Sequence, residues 1–202
     1  MSHIDLSRLG LDPSKKTLLY APTFYPSSIE CMSDSFPAHC EKFNIIIKPH
    51  FFSLFKQKYK KQRTKLQRWS EFKNVYVANE HDFDLTPFLA IADIMVSDAS
   101  SAIFEFAALE KPVVWCDFYK LRWSYRGIFS FRLKSRLDED IKYFNKLCSR
   151  AGDYNELQTI LNSDFCETAE FKESRKHIIN KLAGKTDGRS AKRIVSYLEE
   201  HK

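Results

Sequence analysis

Short apolar runs alternate along the chain with longer stretches of mixed polarity. Five runs stand at 17–23 (TLLYAPT), 44–48 (NIIIK), 74–78 (NVYVA), 93–97 (DIMVS) and 111–116 (KPVVWC), each ended by a turn-forming or polar residue. Runs of this length and composition read as strands. Between them lie helix-length stretches at about 30–43, 52–70, 84–92 and 100–110. Strands alternating with helices at this spacing predict βαβ units, and unbroken runs such as Ile45-Ile46-Ile47 and Val113-Val114-Trp115 suit strands buried on both faces. The expected fold class is α/β, a Rossmann-like parallel sheet with helices on both faces. Beyond residue 117 the pattern changes. Residues 118–137 are rich in aromatics and arginine without a clear period, and helices follow at about 153–162, 164–183 and 190–200. Asp164 is the expected N-cap of the second of these and Gly184 its stop. No repeat, low-complexity tract or Pro/Gly linker divides the sequence, so one domain over 1–202 is expected, with the helices of 153–200 packed on it.

Composition narrows the class. With 202 residues, 44% of them apolar, and 17 Phe, the chain can bury a core without staples. The five cysteines (31, 40, 116, 148 and 166) contain no CxxC pair, and their odd number argues against a disulfide framework. Cysteines and histidines are scattered without metal-ligand spacing, so neither a metal nor another cofactor is expected. The first sixteen residues hold no apolar signal region, and no run reaches the ~20 residues of a membrane span. These features predict a cytoplasmic protein whose membrane contact, if any, is peripheral at the inner face of the plasma membrane. The formal net charge of +6 favours acidic partners. Much of it is concentrated at 56–68 (KQKYKKQRTKLQR), which has no acid. That segment reads either as a solvated helix face or as a surface for anionic lipid or a phosphate chain.

Ligands of open parallel sheets sit at the carboxyl ends of the strands, which directs attention to the loops 21–29, 49–53 and 98–101. Asp98-Ala99-Ser100-Ser101 ends a strand and opens an apolar helix; serine caps such helices, and the unpaired N–H groups of a first turn attract phosphate. Glu105 lies four positions after Ser101, hence on the same helix face, where a carboxylate suits ribose hydroxyls. That helix is expected to be buried. His50 closes the second strand and could act as a general base or, as imidazolium, neutralise phosphate. His81 and Asp82 mark either a further binding loop or a cap. The stretch 122–136 (RWSYRGIFSFRLKSR) interleaves cations and rings, and 185–190 (KTDGRS) is a turn into a helix.

Five segments in order, LLYAPTF (18–24), IIIKPH (45–50), DIMVSDASSAIFEFAALEKPVVW (93–115), SYRGIF (124–129) and DGRSAKRIVSYL (187–198), resemble the C-terminal half of the CDP-glycerol glycerophosphotransferase family. These are teichoic-acid and capsule polymerases of the two-domain glycosyltransferase-B architecture. The resemblance runs from near residue 11 to residue 198. It implies a CDP-glycerol-type donor, release of CMP, a polyol-phosphate polymer as acceptor and no metal in the protein site. It further implies that His50 acts on the diphosphate, that Ser100 and Ser101 with Asp98 belong to the phosphate site, and that Arg126 and Asp187 carry the family's Arg-Gly and terminal Asp-Gly. Phe51 and Ala99 depart from the Pro and Tyr that the family often has there. Nothing in the sequence resembles the family's N-terminal half with its Trp-His-Gly motif. The expectation is therefore a donor-binding domain that is a fragment, a subunit completed by a separate N-terminal half or another copy, or a domain that no longer catalyses. The alternatives are a UDP-sugar glycosyltransferase or epimerase, or a non-catalytic binder of nucleic acid or anionic membrane.

Overall fold

A computed structural model describes residues 4–121, 139–163 and 167–201. Six strands, β1 (Thr17–Ala21), β2 (Asn44–Ile47), β3 (Val75–Val77), β4 (Ile94–Ser97), β5 (Val113–Cys116) and β6 (Ser149–Ala151), form one sheet in the order β3-β2-β1-β4-β5-β6. Every neighbouring pair is parallel, with Leu18 opposite both Ile45 and Ile94. This is the doubly wound order of dinucleotide-binding folds. The sequence predicts the first five strands to within two residues or so at each end. It misses β6, a short polar run, Ser-Arg-Ala, whose pairing with β5 is a tertiary effect.

Successive strand residues point to opposite faces, and the core divides accordingly. Leu19, Ile46 and Met95 face α4 (Thr86–Ile91), α5 (Ala102–Ala107), the short α6 (Phe144–Leu147) and α8 (Ala169–Ala183), through Phe88, Ile103, Phe106, Leu147 and Ile178. Leu18, Tyr20, Ile45, Ile47 and Val96 face α1 (Phe36–His39), α3 (Lys60–Trp69) and α7 (Tyr154–Asn162), through Phe36, Leu66, Trp69 and Leu157. Each such side chain contributes about 1.5–3 kcal/mol by leaving water.

Four helix expectations change. The stretch 30–43 holds only one turn, α1, because its apolar residues Met32, Phe36, Cys40 and Phe43 fill the sheet face from an irregular path. The stretch 52–70 breaks at Lys56 (φ −74, ψ 130), giving α2 (Phe51–Phe55), a 3-10 turn (Gln57–Tyr59) and α3. Thr168, not a residue near 164, caps α8 by accepting from Phe171 N; Asp164 lies outside the described residues. The last helix, α9 (Ser190–Glu200), buries no residue, contrary to the expected packing, and its Ile194, Val195, Tyr197 and Leu198 are exposed.

Candidate functional site at the strand ends

The crossover after β1 passes to the α1 face and that after β4 to the α5 face. Chains that part in opposite directions leave a crevice at the carboxyl ends of the strands between them. A pocket of about 330 Å³ occupies it, lined by Pro22 and Thr23 after β1, Lys48, His50 and Phe51 after β2, Phe83 after β3, and Ser100, Ser101 and Glu105 after β4. All three loops marked in the sequence meet here. The structure thus brings together His50, Ser100, Ser101 and Glu105, residues separated by up to 55 positions.

The end of β4 is fastened to β1. Ser97 Oγ donates to Ala21 O at 2.7 Å and shares a 3.1 Å hydrogen bond with Ser100 Oγ. Asp98 stands behind the pocket, 1% exposed. Its Oδ2 accepts from Thr23 N at 2.9 Å and its Oδ1 from Ser28 N at 3.1 Å, so the carboxylate shapes the 23–28 loop instead of facing phosphate. Burial raises its pKa to about 6, opposed by the hydrogen bonds from Ser28 and Thr23.

Ser101 precedes α5 in helical conformation (φ −60, ψ −25) and makes no side-chain cap, which corrects the expected capping role. Both serine hydroxyls line the pocket. The first helical bond of α5 runs from Ile103 N to Ser100 O, so it does not engage the N–H groups of Ser101 and Ala102. Glu105 is exposed on the pocket wall, not on a buried face as expected; the core-facing residues of α5 are Ile103, Phe106 and Ala107.

His50 is the N-cap of α2. Its Nδ1 accepts from Phe52 N at 3.1 Å, which assigns the ring proton of the neutral form to Nε2. Desolvation, then the positive charges of Lys48 and Lys56, lower its pKa. The imidazole is therefore neutral near pH 7 and offers a donor, not a positive charge. Phe24, whose ring centroid is 4.6 Å away, and Phe52 at 5.1 Å fix its plane.

The positive charge of the pocket comes from Lys48, which the sequence reading passed over although it shares a strand end with His50. Desolvation lowers its pKa, and the charges of Asp82 and Asp84 oppose that shift. A half-buried ammonium at the strand ends is suited to an anion that replaces its lost hydration. His81 and Asp82 stay outside the pocket; Asp82 accepts from Tyr76 Oη at 2.9 Å and Asn79 N at 2.8 Å and so orders the loop after β3. Asp187 also lies elsewhere, paired with Arg193 at 2.8 Å ahead of α9. Arg126 and the 122–136 stretch lie outside the described residues. A second, larger groove of about 780 Å³ follows α3, with five lysines and Arg68 among its twelve lining residues.

Comparison with known proteins places the chain in a family. Residues 4–200 match the family described as CDP-Glycerol:Poly(glycerophosphate) glycerophosphotransferase. The chain is similar to the teichoic acid poly(glycerol phosphate) polymerase of Bacillus spizizenii, 26% identical over 122 residues, covering 54% of this chain and 28% of that protein. It is also similar to the teichoic acid glycerol-phosphate primase of the same organism, 31% identical over 110 residues, covering 54% and 27%. In fold it superposes on a variant of the wall teichoic acid polymerase TagF soaked with CDPG, with a TM-score of 0.61 and 15% identity over 96% of this chain and 43% of that one. The chain thus spans less than half of that polymerase, and the matched part about a quarter of the curated relatives. It belongs to the CDP-glycerol:poly(glycerophosphate) glycerophosphotransferase family.

Proposed function

We propose that the pocket at the strand ends holds the diphosphate of CDP-glycerol or a similar CDP-activated polyol, for transfer of the polyol phosphate to a cell-surface polymer such as teichoic acid or capsule. The observation that carries this reading is the convergence of Lys48, His50, Ser100, Ser101 and Glu105 on one pocket in a chain of this family. Each group has a part in it. Lys48 offsets diphosphate charge, and the Ser100 and Ser101 hydroxyls donate to phosphate oxygens, bonds stronger than neutral ones because the acceptor is ionised. Glu105 accepts from ribose hydroxyls. Asp98 is a positioning residue that sets Thr23 at the pocket edge. Arg126 and Asp187 are assigned to donor binding on the resemblance alone.

In the transfer an acceptor hydroxyl oxygen bonds to the phosphorus bearing the polyol, and its proton passes to water. The anhydride bond to CMP breaks, and CMP leaves with the bridging oxygen. The charge growing on that oxygen is where a hydrogen bond from His50 Nε2 is worth most. On this reading the transfer takes place on the cytoplasmic side, where activated nucleotides are available. No helix among the described residues is long and apolar enough to cross a membrane.

Calorimetric titration with CDP-glycerol, CMP and UDP-N-acetylglucosamine tests the reading. CDP-glycerol should bind more than tenfold tighter than CMP, since only it delivers a second phosphate to Lys48 and His50. Equal affinity for the UDP-sugar would transfer the site to sugar nucleotides, and no heat with any of the three would contradict it.

A further inference from the structure

The groove along α3 is separate from the donor pocket and chemically distinct. One wall is α3 with the turn before it, contributing Lys58, Lys60, Lys61, Lys65 and Arg68; the other includes Glu30 and Asp34, and Lys120 closes an end. The two acids are engaged locally. Asp34 pairs with Lys65 at 3.3 Å and Arg68 at 3.1 Å, and Glu30 accepts from Gln62 Nε2 at 3.2 Å. Lys65 is a strut as well, donating to the carbonyls of Ile29 and Met32. Among the described residues no carboxylate pairs with Lys58, Lys60, Lys61 or Lys120. Four ammonium groups therefore border a concave channel without a carboxylate partner among the described residues.

We propose that this groove is a track for a phosphodiester-linked polyol chain, the acceptor of the transfer proposed above, on whose reading this inference rests. Charge complementarity gives the anion, and the lining gives the rest. Gln57 and Thr64 add polar groups for hydroxyls, while no aromatic residue among the described ones lines the groove to supply the stacking platforms used for single-stranded nucleic acid. Nor does α3 resemble a membrane-surface helix. Its apolar Leu66 and Trp69 point into the core, and none of its exposed positions is apolar. Lys61 and Arg68 lie seven residues apart, hence on one side of α3, whose pitch is about 5.4 Å, and Lys58 extends the row from the 3-10 turn before it. A polymer with one phosphodiester per short polyol presents its anions at comparable intervals.

The groove also leads to the reaction site. The loop after β1 borders both: Thr23 lines the donor pocket, and Ile29 and Glu30 line the groove. Gln62 Nε2 donates to Phe24 O at 3.1 Å, and the Phe24 ring lies against His50. A chain lying along α3 therefore passes beside the residue placed at the departing CMP.

The test measures binding of a fluorescent, lipid-free glycerol-phosphate oligomer to the full chain and to the triple variant Lys58→Gln/Lys61→Gln/Lys120→Gln. These three side chains are exposed and hold no fold contact described above, unlike Lys65. The oligomer should bind the wild type, lose at least tenfold in affinity in the variant, and show a salt slope smaller by about 0.7 per removed contact. CDP-glycerol affinity should be equal in both. Unchanged oligomer affinity in the variant would overturn the track. So would equal or tighter binding of a single-stranded oligonucleotide of the same charge, or of phosphatidylglycerol vesicles. Because CDP-glycerol is titrated separately, a chain that binds donor but no oligomer fails here alone, whereas one that binds oligomer but no donor fails the donor reading.

Discussion

At the scale of single residues, His50 and Asp98 divide the work of the strand ends. His50 was legible as a residue of the strand-end pocket because only the loop rule was needed to place it, but its charge state was not. That depends on Phe52 N occupying Nδ1 and on Lys48 and Lys56 nearby, contacts no spacing reveals. His50→Asn keeps a cap acceptor for Phe52 N and removes the outward Nε2 donor. The variant should lose affinity for CDP-glycerol with little change for CMP, read by calorimetry. Its pH behaviour follows from the lowered pKa: the folded state binds the proton more weakly than the unfolded chain. Wild-type stability should therefore fall as pH drops below 6.5, and urea titrations of the variant should lack that component. Asp98 has the opposite sign. With a folded pKa raised to about 6, its ionisation removes stability as pH rises from near 4 to about 6. Asp98→Ala would strand the N–H groups of Thr23 and Ser28, costing about 1–3 kcal/mol, and should weaken donor binding through the loop. Ser100→Ala/Ser101→Ala acts on the ligand instead. Two lost bonds to charged oxygens should cost about 2–4 kcal/mol of CDP-glycerol affinity, with little loss of stability because neither hydroxyl caps α5. Unchanged affinity in a folded double variant would contradict the phosphate role.

At the scale of elements, periodicity found what burial dictates and missed what contacts dictate. The apolar strands β1, β2, β4 and β5 declare themselves because both faces are covered. β6 does not, since Ser149 and Arg150 are exposed and only the edge of β5 makes them a strand. The face of Glu105 was misread for a related reason: α5 is one and a half turns long, too short for a stripe to show which side meets the core. The attachment of α8 is another feature outside sequence reach. Arg175 is 2% exposed, pairs with Glu167 at 2.5 Å and donates to the carbonyls of Glu110 and Lys111, tying α8 to the entry of β5. Arg175→Ala would leave Glu167 and those carbonyls unpartnered, and removal of one member of a buried pair costs about 3–5 kcal/mol. Chemical denaturation should show that loss, while Arg175→Met, which fills the space, should lose less than Ala. The contrasting element is α9. Among the described residues, Asp187, Arg189 and Arg193 bond only among neighbours, and no residue of the helix is buried. Deleting the chain from residue 186 onward should leave Tm unchanged; a large drop would show that α9 supports the domain.

At the scale of the whole molecule, two anion-seeking surfaces share one loop: a smaller pocket at the strand ends and a larger groove along α3. The sequence made both visible, the first through strand-end loops and the second through an acid-free run of cations. Which of them faces the nucleotide was not readable from charge, since the more basic surface is the one without the serines. The proposed assignment rests on the fold joining the ends of β1, β2 and β4 around Lys48 and His50. The central claim is that CDP-glycerol occupies that junction, and amide chemical-shift mapping of the isotopically labelled chain tests it most directly. Titration with CDP-glycerol should shift the amides of Thr23, Phe51 and Ser100 through Glu105, with Ser101 and Ala102 among the largest changes and the α3 amides of Lys61 and Thr64 unmoved. Shifts concentrated on α3, or spread evenly with none at Ser101 and Ala102, would contradict it.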